Sequence, residues 1–213
     1  MKRFVLLLLL ISFQGIGQQL FVEFGTSVTS FRYENATGQT RDNLLSQPGI
    51  NLAMGYRDDI WNERLYLRLG AAYNSYGAIG SDRALNIFFE WETNFLGPQL
   101  GLDYRLFNLR DFSFYLKGSA SLEFMIRGTQ TVNNQVFDLV GEDEFNNSIV
   151  LIRGGVEMQY PISRTTALTV NYNYGKTMFL KNNRDDETLQ FLAHQFMIGL
   201  VINLPNCNCA LQN

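Results

Sequence analysis

Residues 112–128 read FSFYLKGSASLEFMIRG, and every second residue falls into one of two sets. Phe112, Phe114, Leu116, Gly118, Ala120, Leu122, Phe124 and Ile126 contain no polar side chain. Ser113, Tyr115, Lys117, Ser119, Ser121, Glu123, Met125 and Arg127 are mostly small or polar and include three charges. Successive side chains of a strand point to opposite faces, so this alternation predicts one long strand with two unlike faces. What remains to decide is which face meets water.

The same period of two recurs in LFVEFGTSV (20–28), INLAMGYR (50–57), LYLRLGAAYN (65–74) and LGPQLGLDYR (96–105). After the opening stretch it returns in VLIRGGVEMQY (150–160), ALTVNYNYG (167–175) and HQFMIGLVINL (194–204). The fourth stretch is expected to begin near Phe88, with a bulge at Phe95–Leu96 where the parity changes. That makes eight strands, each near the ~9–11 residues that a tilted membrane strand requires. No sustained helical spacing of apolar residues competes with this reading.

The connections alternate as well. YENATGQTRDNLLSQ, GAIGSDRALN, TQTVNNQVFDLVGEDEFNN and KTMFLKNNRDDETLQ are long and polar, whereas DDIWNER, LFNLRD and PISRTT are short. An even number of antiparallel strands, long loops at one end and short turns at the other is the pattern of a transmembrane up-and-down barrel. A soluble lipocalin-like barrel would alternate too, but its polar face would be outside and crowded with long polar side chains. Here the polar face is mostly Gly, Ala, Ser and Asn with scattered charges, which suits the narrow bore of eight strands. The apolar face is bounded by Trp61, Tyr73, Trp91, Tyr104, Tyr160, Tyr172 and Tyr174, matching aromatic girdles at two interfaces. The Lys117 face is therefore expected to look into the lumen and the Leu116 face at lipid. The chain's 17% charged residues, against roughly 25% for ordinary soluble domains, agree.

Residues 1–17 read as a cleaved export signal. Lys2 and Arg3 precede an apolar run from Phe4 to Phe13, and Gly15-Ile16-Gly17 supplies small residues at a cleavage site. Residues 18–204 are then the barrel and 205–213 a periplasmic tail. The formal charge of −3 becomes −5 once Lys2 and Arg3 are removed, which gives no basis for nucleic-acid binding.

Signal, eight alternating strands, long and short connections and the closing MIGLVINL together resemble the OmpA-like and PorT-like outer-membrane barrel families. The resemblance implies fold and outer-membrane location, and its PorT-like side implies a component of a secretion or assembly complex. One departure is the PNCNCALQN tail that follows the last strand.

Chemistry is sparse. His194 is the single histidine and is expected at the outer rim, facing lipid. A lipid-modifying enzyme would have to centre on it, yet no nucleophile motif accompanies it. Cys207 and Cys209 are the two cysteines, and their C-x-C spacing makes a strained ring; the tail is an ordinary terminus, with an intermolecular bridge or partner docking as the functional alternatives. The acidic clusters GEDEFNN and NNRDDE lack cation-loop spacing, and no cofactor site is visible.

The reading is a non-enzymatic outer-membrane barrel with a side-chain-filled lumen. It would be structural, accessory or surface-binding, with outer-membrane lipid and envelope proteins as partners. Its lumen should hold a charge network of Glu23, Arg57, Arg68, Asp103, Lys117, Glu123, Arg153 and Glu157. Facing residues in a hairpin are set by its centre. Centres near residues 40 and 137–138 place Glu23 opposite Arg57, Lys117 opposite Glu157, and Glu123 opposite Arg153.

Overall fold

The computed structural model describes residues 19–34, 44–82, 87–140, 148–178 and 188–204. These form nine strands: β1 (Gln19–Glu34), β2 (Leu44–Trp61), β3 (Leu65–Asp82), β4 (Ile87–Leu109), β5 (Phe112–Val132), β6 (Gln135–Asp138), β7 (Ile149–Pro161), β8 (Thr166–Met178) and β9 (Thr188–Asn203). All neighbouring pairs are antiparallel, and β1 pairs with β9. The eight long strands thus close on themselves. Closure leaves no open edge along the wall, which matters in hydrocarbon because each unpaired backbone group there costs several kcal/mol. The export signal, the two acidic clusters and the Cys207/Cys209 tail lie outside the described residues.

The stagger of the barrel follows from one walk around its ladder. From Gln19 the facing residues are Arg57, Arg68, Gly101, Ser119, Arg153, Gly175 and Ala193, and Ala193 faces Thr29. One circuit therefore climbs ten residues along β1, from Gln19 to Thr29. Eight strands with that stagger tilt about 40° from the axis, enclose a backbone cylinder about 8 Å in radius, and rise about 2.5 Å per residue.

Parity sorts the faces as expected. Leu100, Leu102, Leu116, Phe124, Val156 and Ile198 are exposed on the outside, while Tyr115, Lys117, Ser121 and Glu123 are buried inside. The turns are locally encoded. In the β2–β3 turn, Asp59 accepts hydrogen bonds from the backbone N–H of Trp61 (3.1 Å) and Glu63 (2.7 Å). Asn62 and Glu63 both take positive φ, as a two-residue hairpin of the twist-matched kind demands.

Several expectations need correction. The eight long strands run 13 to 23 residues, longer than expected, because β1, β2, β3, β5, β8 and β9 continue into segments read as polar loops. The third of these contains an extra strand: β5 runs to Val132, turns at Asn133–Asn134 with φ of 47° and 67°, and returns as β6. The bulge exists at the expected level but on β5, where Ile126 is inserted between the pairs Asn94↔Arg127 and Phe95↔Met125. Parity through β4 is continuous, whereas on β5 the insertion turns Arg127 outward instead of into the lumen. Trp91 shares the inward parity of Thr93 and Phe95 and faces buried Ala78, so it is not part of the outer girdle.

The hairpin centres were also displaced. Lys117 faces Gly155, Glu123 faces Ile149, and Glu23 faces Ala53. Because β5 turns early at Asn133–Asn134 and the chain returns through a longer second half, the symmetric-loop assumption fails.

Candidate functional site: the charged lumen

All eight residues of the expected network are buried inside the barrel. They divide into two groups. Nearer the short turns lie Glu23, Arg57, Arg68, Asp103, Lys117 and Glu157, three acids and three bases. The Lys117 ammonium bridges Glu23 at 2.7 Å and Glu157 at 2.6 Å. Arg68 bridges Glu23 at 3.0 Å and Asp103 at 3.6 Å, while Arg57 reaches Asp103 at 3.2 Å and Glu157 at 3.7 Å. The six close into a ring with no net charge.

Glu23 and Arg57, expected as partners, are not joined; Glu23 instead reaches across the bore to Lys117 on β5. Lys117 and Glu157 do pair, but diagonally, since each strand's long side chains span the register difference. Inward glycines make room for the ring. A Cβ on Gly199 would stand 2.9 Å from Glu23 Cγ and 2.3 Å from the Val22 carbonyl oxygen.

The ring is closed below by aromatic residues whose role was not legible in the sequence. The Arg57 guanidinium lies over the Tyr66 ring at 4.2 Å and the Tyr115 ring at 4.5 Å. Arg105 donates to the Tyr66 hydroxyl (2.7 Å) and the Tyr115 hydroxyl (3.2 Å). Their inward parity was readable, but the convergence of two strands, β3 and β5, on one arginine was not.

Nearer the long loops, Glu123 and Arg153 form the second group. Arg153 Nη2 sits 2.5 Å from Glu123 Oε1, although Arg153 faces Ser119, four residues from Glu123. The carboxylate also accepts from Asn74 (2.8 Å), Ser121 (2.6 Å) and the Tyr76 hydroxyl (2.8 Å). Above it Tyr76, Phe95, Ile149, Leu151 and Ala193 pack as an apolar plug, with Tyr76 and Phe95 rings 5.6 Å apart. Between the two groups a void of about 20 Å³ is lined by Glu23, Arg68, Lys117, Asn74, Gln195 and Arg153. That is space for about one water molecule.

His194 is exposed on the outer face, as expected. Its Nδ1 is 2.8 Å from the Tyr172 hydroxyl, and its ring packs against Tyr172 and Tyr174. Among the described residues no Ser, Cys or carboxylate hydrogen-bonds to it.

Several solved structures align along most of the chain. Neisserial surface protein A aligns over 87% of this chain and 97% of its own, at 12% identity and a TM-score of 0.48. A major outer membrane protein of Thermus thermophilus aligns over 88% and 99%, at 13% identity and 0.48. The outer membrane protease OmpT of Escherichia coli aligns over 88% and 97%, at 7% identity and 0.46. No curated protein sequence matches the chain significantly. The model of the family described as "Outer membrane protein beta-barrel domain" matches residues 4–203. With closed strands, an apolar exterior and that match along nearly the whole sequence, the chain belongs to the outer membrane protein beta-barrel domain family and is a barrel of the outer membrane.

Proposed function

We propose that this protein is a non-enzymatic, non-conducting barrel that holds a projecting extracellular sheet at the cell surface for binding. The carrying observation is the unequal height of its wall. From the level where Leu65 faces Tyr104 to that where Asp82 faces Ile87 is seventeen residues of ladder. At about 2.5 Å of rise each, β3 and β4 climb about 40 Å, well above a ~25 Å hydrophobic band. β6 extends that projection, and Phe88, Val136 and Phe137 expose apolar side chains on it. Apolar groups held in water above the membrane favour a binding surface over a bare loop. The filled lumen supports anchoring in place of transport.

Two measurements test this. A photo-crosslinking residue at Val136 in intact cells should capture a surface or extracellular partner. Capture only from positions on the Asn62–Glu63 and Arg110 turns would instead favour a component of a periplasm-facing assembly. In planar bilayers the purified protein should give no steady conductance; porin-like currents would overturn the non-conducting reading.

A further inference from the structure

The outer face carries two basic side chains where hydrocarbon gives way to headgroups. Lys176 and His194 both point outward, on β8 and β9. Lys176 faces Leu192 and Tyr174 faces His194, so the two basic residues are diagonal neighbours, about 7–8 Å apart at Cα. Lys176 stands ten residues above Thr166, the first residue of β8, a rise of about 25 Å. This is the upper limit of the hydrophobic band, at the outer leaflet.

A lysine on the lipid face is costly near the midplane, and at the band's edge it extends toward headgroups. Here its neighbours favour an anion. The outward side chains around it are Val150 and Ile152 on β7, Tyr172 and Tyr174 on β8, Leu192, His194 and Phe196 on β9, and Thr26, Val28 and Ser30 on β1. None of these is acidic, so among the described residues Lys176 has no carboxylate on this surface. His194 is held in place by the Tyr172 hydroxyl at Nδ1 (2.8 Å) and by rings at 5.1 and 6.1 Å. When Nδ1 accepts that hydroxyl proton, Nε2 carries the other ring proton and becomes a donor without any net charge. Among the described residues Nε2 has no hydrogen-bond partner. An ammonium, a ring N–H and the Tyr174 hydroxyl thus stand on one face above an apolar surface formed by Ile152, Phe196 and Ile198.

We propose that Lys176, His194 and Tyr174, with Tyr172 as the positioning residue, form a site for the phosphate of an outer-leaflet lipid. The phosphate oxygens would accept from Lys176 Nζ, His194 Nε2 and the Tyr174 hydroxyl, and the acyl chains would lie along the apolar surface below. Charge-assisted hydrogen bonds to a phosphate are the strong kind, and the low-dielectric boundary strengthens them. This inference rests on the membrane placement and is independent of the surface-binding proposal.

The test uses the folded full-length barrel in detergent, with lipid A and its dephosphorylated form as probes and native mass spectrometry as the readout. Wild type should retain lipid A at least tenfold more tightly than the dephosphorylated lipid. Lys176→Ala combined with His194→Ala should abolish that preference, Lys176→Arg should keep it, and Arg127→Ala, an exposed cation elsewhere, should leave it unchanged. Equal retention of the two lipids by wild type would overturn the proposal, even if the double variant failed to fold. So would a folded double variant that still prefers the phosphorylated form.

Discussion

The two halves of the lumen solve one problem, buried charge, in different ways. Near the short turns three acids and three bases share partners: Lys117 serves two glutamates and Arg68 serves Glu23 and Asp103. Near the long loops one acid meets one base, and Glu123 is saturated by Asn74, Ser121, Tyr76 and Arg153. In the ring, losing one member leaves every other member a partner. In the pair, losing one leaves a buried charge with neutral hydrogen-bond partners only. A dry lumen penalises the second case far more than the first.

The largest effect should therefore fall on the pair. Glu123→Gln is expected to destabilise the barrel by roughly 3–5 kcal/mol, since it takes from buried Arg153 the one carboxylate that pairs with it among the described residues. A double-mutant cycle with Arg153→Gln, read by urea unfolding in detergent, should return strong coupling; a coupling of zero would mean the pair is not formed.

Lys117→Met should cost less, about 2 kcal/mol, because Glu23 keeps Arg68 and Glu157 keeps Arg57 and Gln159. Should this variant unfold at lower urea than Glu123→Gln, partner sharing is not what protects the ring.

The ring and the plug are also seals in series. Tyr76→Phe with Phe95→Ala opens space only at the plug, so bilayer recordings should stay silent while the ring persists. The stability cost should be about 3 kcal/mol or more, from the cavity and the lost hydroxyl. A steady current from this variant would show that the plug alone closes the bore.

The smallest effect belongs to a charge that the β5 bulge turns outward. Arg127→Ala should change the unfolding midpoint by no more than about 0.5 kcal/mol equivalent. A cost comparable to Lys117→Met would place Arg127 back in the lumen and contradict the bulge at Ile126.

Some of this was legible from local pattern. A period of two assigns faces with no knowledge of neighbours, and it put all eight charged residues inside and Leu116 and Phe124 outside. It failed where a single residue is inserted, at Ile126, because one extra residue reverses every parity beyond it. Pairing was harder. Lys117–Glu157 and Glu123–Arg153 were expected face to face but meet two and four residues out of register, since where β5 turns is decided at Asn133–Asn134 and not at the middle of the polar segment.

By itself the sequence determined which side chains are inside and that the wall is greasy, since both are properties of single strands. Only the tertiary structure decided which charges meet. Glu23 on β1 and Lys117 on β5 share no ladder; they are joined across the bore because eight strands close with a stagger of ten residues. That stagger sets the radius and brings facing walls to within reach of a lysine and a glutamate side chain. It belongs to the closed ring of hydrogen bonds, and no single strand encodes it.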